Sequence, residues 1–182
     1  YIVIKITEGA QYRFSGFSLS GHLIVPKQKL RSLVPIKTGA IFSRKSIVSA
    51  EKGIGYALGD KGYAKAKIRA KTTTNEKRHT VFIHFMVTPG RRVYVRYITF
   101  SGNSHTDDNA FRRVLTQMEG GIISTRHLAN SKQRLMQQAY VQHVDETTTP
   151  VPGKSNEEDI NYKVATYPAG EVRMGVGYGD VD

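Results

Sequence analysis

The chain has 182 residues, 27 Lys and Arg against 15 Asp and Glu, a net charge of +12 and 39% hydrophobic residues. That apolar share is too high for a disordered chain, and the length suits one large domain or two small ones. There is no cysteine, which excludes a disulfide scaffold, a cysteine zinc site, an iron–sulfur cluster and a thiol nucleophile.

The chain opens inside the apolar alternation Tyr1-Ile2-Val3-Ile4-Lys5-Ile6, without a start methionine. It reads as a piece of a longer protein, with residues 1–9 as the last strand of a preceding unit. No run of apolar residues reaches the length of a membrane-spanning helix, and no signal peptide stands at the start.

Residues 10–90 read as one unit. A strand over Tyr12 to Leu19 alternates with period two and ends at Gly21. A brief helix follows from Pro26 to about Val34, stopped by Pro35. Gly39 marks a turn, Ser43 a cap, and Ile47, Ala50, Ile54, Ala57 and Leu58 the apolar stripe of a second helix. From Tyr63 to Lys71, Ala64, Ala66, Ile68 and Ala70 face one way and Lys65, Lys67, Arg69 and Lys71 the other. After a turn over Thr72 to Arg78, the strand Val81 to Val87 is apolar on both faces, as a central strand would be.

Residues 91–170 repeat the pattern. Thr7-Glu8-Gly9, Leu19-Ser20-Gly21 and Lys37-Thr38-Gly39 return as Thr88-Pro89-Gly90, Phe100-Ser101-Gly102 and Met118-Glu119-Gly120, each 81 positions later. The second unit has a strand over Val93 to Phe100, then a helix capped by Thr106 or Asp107. Ala110, Phe111, Val114, Leu115 and Met118 form that helix's stripe. Ser124 caps another helix, which shows Leu128, Leu135, Met136 and Ala139. Strands over Tyr140 to Thr147 and Ile160 to Thr166 close the unit, joined by the loop Val151 to Asp159. The order β-α-α-β-β, twice, implies an α+β fold. Each unit has a three-stranded mixed sheet in the order first, third, second, with two helices packed on one face. The second strand is left as an edge.

The repeat resembles the POTRA domain family. Val95-Arg96-Tyr97-Ile98-Thr99-Phe100-Ser101-Gly102-Asn103 is similar to its opening strand and turn. Leu115-Thr116-Gln117-Met118-Glu119-Gly120 is similar to the end of its first helix. Val151-Pro152-Gly153 with Asn161-Tyr162-Lys163-Val164 is similar to its hairpin. Gly175-Val176-Gly177-Tyr178-Gly179 resembles the start of a barrel strand, assigned to residues 171–182. Together they resemble the last two POTRA domains of the BamA family of outer-membrane protein assembly factors, in the Omp85 superfamily of Gram-negative bacteria. The units 10–90 and 91–170 would then be POTRA4-like and POTRA5-like.

The resemblance implies a periplasmic part of an outer-membrane protein, with no cofactor and no covalent chemistry. It would dock a BamD-type lipoprotein and other assembly-complex subunits. It would also guide unfolded outer-membrane proteins, and reach the membrane through a C-terminal β-barrel. The resemblance makes Glu119 the lipoprotein-facing residue, at the end of a helix, with Arg112 two turns earlier on the same face and Arg113 beside it. The edge carrying Lys65, Lys67, Arg69 and Lys71 is a candidate for strand addition by clients, although lysines on an edge also guard against aggregation. The first unit carries the charge excess, 15 basic against 3 acidic residues; the second has 10 against 8.

Other readings are weaker. Two-partner secretion transporters and the related translocation factor also carry POTRA domains before a barrel. A nucleic-acid-binding module would suit the charge, but the strand faces lack paired aromatics for stacking bases. An enzyme is disfavoured because His22, His79, His84, His105, His127 and His143 are scattered, with no metal-ligand pairing. His84, on an apolar strand, reads as a structural histidine.

Overall fold

The computed structural model describes residues 10–102 and 107–167. The strands expected over 1–9 and 171–182 and the cap at Thr106 lie outside them. In the first unit β1 (Arg13–Gly21) is followed by α1 (Lys27–Ser32), α2 (Arg44–Gly59), β2 (Lys67–Asn75) and β3 (Thr80–Thr88). The second has β4 (Tyr94–Ser101), α3 (Asp108–Arg112), α4 (Thr125–Met136), β5 (Val141–Pro150) and β6 (Glu157–Thr166). The sheets run β1-β3-β2 and β4-β6-β5, parallel in the first pairing and antiparallel in the second. This is the expected mixed order, in an α+β fold.

The helices cover one face of each sheet. Ile83 and Phe85 of β3 are fully buried with Leu30, Ala50, Ile54 and Leu58 of the helices. Burying each such large side chain contributes about 1.5–3 kcal/mol. Tyr162 and Ile160 of β6 are buried likewise with Phe111, Leu128 and Leu135. The expectation that β3 is buried on both faces is corrected. Met86 is 57% exposed, because no layer of the described residues covers the outer face. His84 lies on that face, bonded through Nδ1 to Ser18 Oγ at 2.9 Å and tilted against the Phe82 ring.

Several boundaries move for identifiable reasons. β2 begins at Lys67, because the Ala66 amide bonds back to Tyr63 O in a turn. It runs on to Asn75, since Thr72, Thr73 and Thr74 pair with Ile83, Phe82 and Val81, and β-branched residues suit a strand. The turn shrinks to residues 76–79. β6 starts at Glu157, so the loop before it is shorter than expected. α4 ends at Met136, so Ala139 lies beyond it; its inward stripe is completed by the buried Ser131. Ser124 caps α4 by accepting from the His127 amide at 3.2 Å, whereas Ser43 makes no such bond for α2.

The largest correction concerns the helix expected to run to Met118. α3 stops at Arg112, after five residues, and Asp107 caps its start by accepting from Asn109 N. Buried side chains capture the backbone beyond. Ser131 Oγ accepts from the Thr116 and Gln117 amides at 2.9 and 3.1 Å. The buried Gln117 side chain bonds Ser124 N and the carbonyls of Met118 and Ile122.

Candidate partner-binding site

β4 is an edge strand, and its first half is covered by the chain that follows α3. Gly120 N donates to Val95 O at 2.7 Å, Val95 N to Gly121 O at 2.9 Å and Ile123 N to Val93 O at 3.0 Å. A bulge between Val95 and Ile98 ends this cover. Ile98 then turns its N–H and C=O outward, and side chains meet both. Its N–H donates to Glu119 Oε1 at 2.6 Å, and Arg112 donates to Ile98 O at 2.7 Å. Arg112 also donates to Glu119 Oε1 at 3.0 Å, and its guanidinium lies over the Phe100 ring. The Ile98 N–H, assisted by Arg112, holds the Glu119 carboxyl below the ordinary carboxylate range, against a smaller upward push from burial.

The structure thus joins Glu119 and Arg112, but not along a helix face. Glu119 sits in the turn before α4, and the pair meets across the edge of β4. Both contacts end on Oε1; no described residue donates to Oε2. With its side chain 39% exposed, Glu119 holds one acceptor oxygen toward solvent. Beside it Met118 is 68% exposed, and a 260 Å³ hollow is lined by Leu115 and Gln117 as well. Arg113 is not brought into this cluster. It is the C-cap of α3, and its charge acts on Asp107.

The second candidate surface is β2. Lys67, Arg69 and Lys71 are exposed, and Ile68 and Ala70 lean on the core. Lys65 stands outside the strand and spans to the second unit, its Nζ 2.6 Å from the buried Glu158 carboxylate. The edge is also less open than its pattern implies. Glu51 of α2 accepts from the Ala70 N–H at 2.9 Å, occupying one of the donors an added strand would use. Sequence reasoning missed Glu51. Its only signal was an acid on the helix opposite a basic edge. Between α2 and β2 lies a 350 Å³ groove lined by Phe42, Arg44, Ile47, Val48, Glu51, Ala70 and Thr72. The second unit has a 330 Å³ counterpart with Lys132 on its helix and Glu146 on its strand, whereas the strand side of the first groove is uncharged. Burial pushes the Glu146 carboxyl up, opposed by Lys132.

The two units lock at the end of α2. Asp60 accepts from Ser124 Oγ at 2.6 Å and pairs with Arg126 at 2.8 Å, and Thr125 Oγ1 donates to Tyr56 O at 3.0 Å. Val93 N donates to Gly62 O at 2.8 Å, and the Arg92 guanidinium lies over the Tyr63 ring. Gly62 has φ of +93°, and a Cβ there would come within 2.5 Å of Ile122 Cγ2. Among the described residues, no cluster of three or more His, Cys, Asp or Glu could hold a metal, and no helix is long and apolar enough to cross a membrane.

Comparison with known proteins agrees with this architecture. The chain is 30% identical over 178 residues to the outer membrane protein assembly factor BamA of Neisseria meningitidis, covering 97% of this chain and 22% of that protein. It is 29% identical to BamA of Buchnera aphidicola, covering 98% of this chain and 29% of that one. The chain therefore spans under a third of the length of these curated relatives. Among solved structures, Haemophilus influenzae BamA POTRA3-5 superposes with a TM-score of 0.79 at 28% identity, over 87% of this chain and 63% of that one. Haemophilus ducreyi BamA lacking POTRA domains 1-3 gives a TM-score of 0.74 at 34% identity, over 86% of this chain and 30% of that one. The sequence model of the POTRA family, described as surface antigen variable number repeat, matches residues 12–90 and 93–166. With two matched repeats, each folded as β-α-α-β-β, the chain belongs to the POTRA family.

Proposed function

We propose that this chain is a periplasmic part of an outer-membrane protein assembly factor, docking partner lipoproteins and guiding unfolded barrel proteins toward the membrane. The observation that carries this reading is similarity over nearly the whole chain to relatives named as BamA. The site geometry supports it. Glu119 is fixed by the Ile98 N–H and Arg112 through one oxygen, which leaves the other pre-oriented for a cation on a BamD-type lipoprotein. A carboxylate held this way loses little freedom on binding. Clients would add as extended strands along β2, whose outward main-chain groups tolerate many sequences. On this reading Lys67, Arg69 and Lys71 flank the client, and Glu51 must release the Ala70 N–H before it can pair.

The test is binding of the 182-residue chain to a purified BamD-type lipoprotein at low and high salt, with Glu119→Gln and Glu119→Lys beside the unaltered protein. Glu119→Gln keeps an acceptor for Ile98 and removes only the charge. Affinity is expected to fall about tenfold with Gln, and further with Lys, since a charge-assisted bond is roughly twice as strong as a neutral one. Circular dichroism checks the fold. Binding unchanged in both variants would remove the dock from Glu119. No binding by any of the three proteins would count against the lipoprotein reading.

A further inference from the structure

The repeat offers an internal comparison at the edge strands. In the second unit Gly120 N bonds Val95 O at 2.7 Å and Gly121 O receives Val95 N at 2.9 Å. In the first, Gly39 N bonds Phe14 O at 2.7 Å and Ala40 O receives Phe14 N at 2.8 Å. Gly39 and Gly120 share positive φ, +86° and +71°. The two covers are thus the same structure, 81 positions apart. Thr38 therefore leaves the backbone where Glu119 does, and Phe17 corresponds to Ile98 and Arg31 to Arg112.

Phe17 also faces outward. His22 N donates to Val87 O, so Ser18 and Ser20 turn their main chain to β3 while Phe17 and Leu19 turn theirs away. Among the described residues, no side chain meets these groups. Threonine at 38 is too short for the reach that Glu119 makes. Arg31 is exposed and rests over the Phe17 ring, 5.4 Å from its centroid. The first unit therefore keeps the amide and the guanidinium of the second unit's carboxylate seat and lacks the acid. The unit that carries this seat has 15 basic against 3 acidic residues.

We propose that the Phe17 N–H and the Arg31 guanidinium receive a carboxylate carried by an extended acidic peptide, the seat that Glu119 fills from within the second unit. The peptide runs along the outer half of β1, pairing its main chain with Phe17 and Leu19, and its acidic side chain takes the place of the absent glutamate. This is a different edge from β2, and it does not depend on the assembly role.

The probe is a capped seven-residue peptide of alternating Thr and Val with a central Glu, compared with the same peptide carrying Gln. Both are titrated into the isotope-labelled chain and followed by amide NMR. The Glu peptide is expected to move the Phe17 and Leu19 amides and to bind about tenfold tighter than the Gln peptide. Arg31→Gln is expected to abolish the difference. Thr38→Glu is expected to fill the seat from within and weaken the Glu peptide about tenfold. In the converse variant, Glu119→Thr, the Ile98 amide is expected to begin responding. Equal binding of the two peptides overturns the proposal. So do discrimination that survives Arg31→Gln, shifts confined to residues 67–75, and silence at Phe17 with millimolar peptide.

Discussion

Glu119 shows how a single carboxylate does two jobs on one strand edge. It accepts the Ile98 N–H and, with Arg112, takes the place of a neighbouring strand, which β4 lacks on this side among the described residues. Because its carboxyl titrates below the ordinary range in the fold, its stabilisation is fully present above the unfolded value of about 4.3 and is lost as pH falls through the lowered one. The urea midpoint of the unaltered chain is therefore expected to fall more between pH 7 and pH 3.5 than that of Glu119→Gln. Parallel behaviour of the two proteins would show that the carboxylate charge does nothing for the edge. Glu119 and Arg112 were legible from the resemblance, but the reason for their meeting was not. Apolar spacing through Met118 suggested a continuous helix, whereas the buried Gln117 and Ser131 unwind it after Arg112. A polar residue that captures backbone groups from a distant helix leaves no periodic trace.

At the scale of elements, two strand edges are met by acids, one on a helix and one in a turn. Glu51 meets β2 as Glu119 meets β4. Removing Glu51 frees the Ala70 N–H, so Glu51→Ala is expected to speed hydrogen exchange at Ala70 about tenfold and to strengthen strand addition along β2. An unchanged exchange rate would mean that the amide is protected by something other than this carboxylate. Strand order and helix placement followed from the β-α-α-β-β pattern alone, because antiparallel hairpins and a parallel return leave few alternatives. The length of β2 did not follow. Thr72 to Thr74 read as a turn because threonine is polar, yet pairing with β3 draws them into the ladder. Glu51 escaped notice because its contact depends on the distance between a helix and an edge, which no local pattern encodes.

At the scale of the whole molecule, the units meet through a polar joint rather than a shared core; Asp60, Ser124 and Arg126 sit where α2 ends and α4 begins. Gly62 lies inside this joint in a conformation that other residues resist. Gly62→Ala is expected to cost at least about 1–2 kcal/mol in backbone strain alone, besides driving a methyl against Ile122. Urea unfolding followed at tyrosines of both units should then separate into two transitions. A single unshifted transition would show that the joint yields without cost. The residues that form this joint come from the end of α2 and the start of α4, far apart in sequence, so no local pattern announces it.

The pairing of Lys65 with Glu158 carries a consequence for how the molecule comes into being. Glu158 lies in β6, the central strand of the second sheet, with its carboxylate buried, and its countercharge belongs to the first unit. In this pair the buried partner is in the later unit and the half-exposed one in the earlier. A chain that emerges amino end first has Lys65 in place before Glu158 arrives. For this one pair, the order of synthesis places the countercharge before the carboxylate that is to be buried against it.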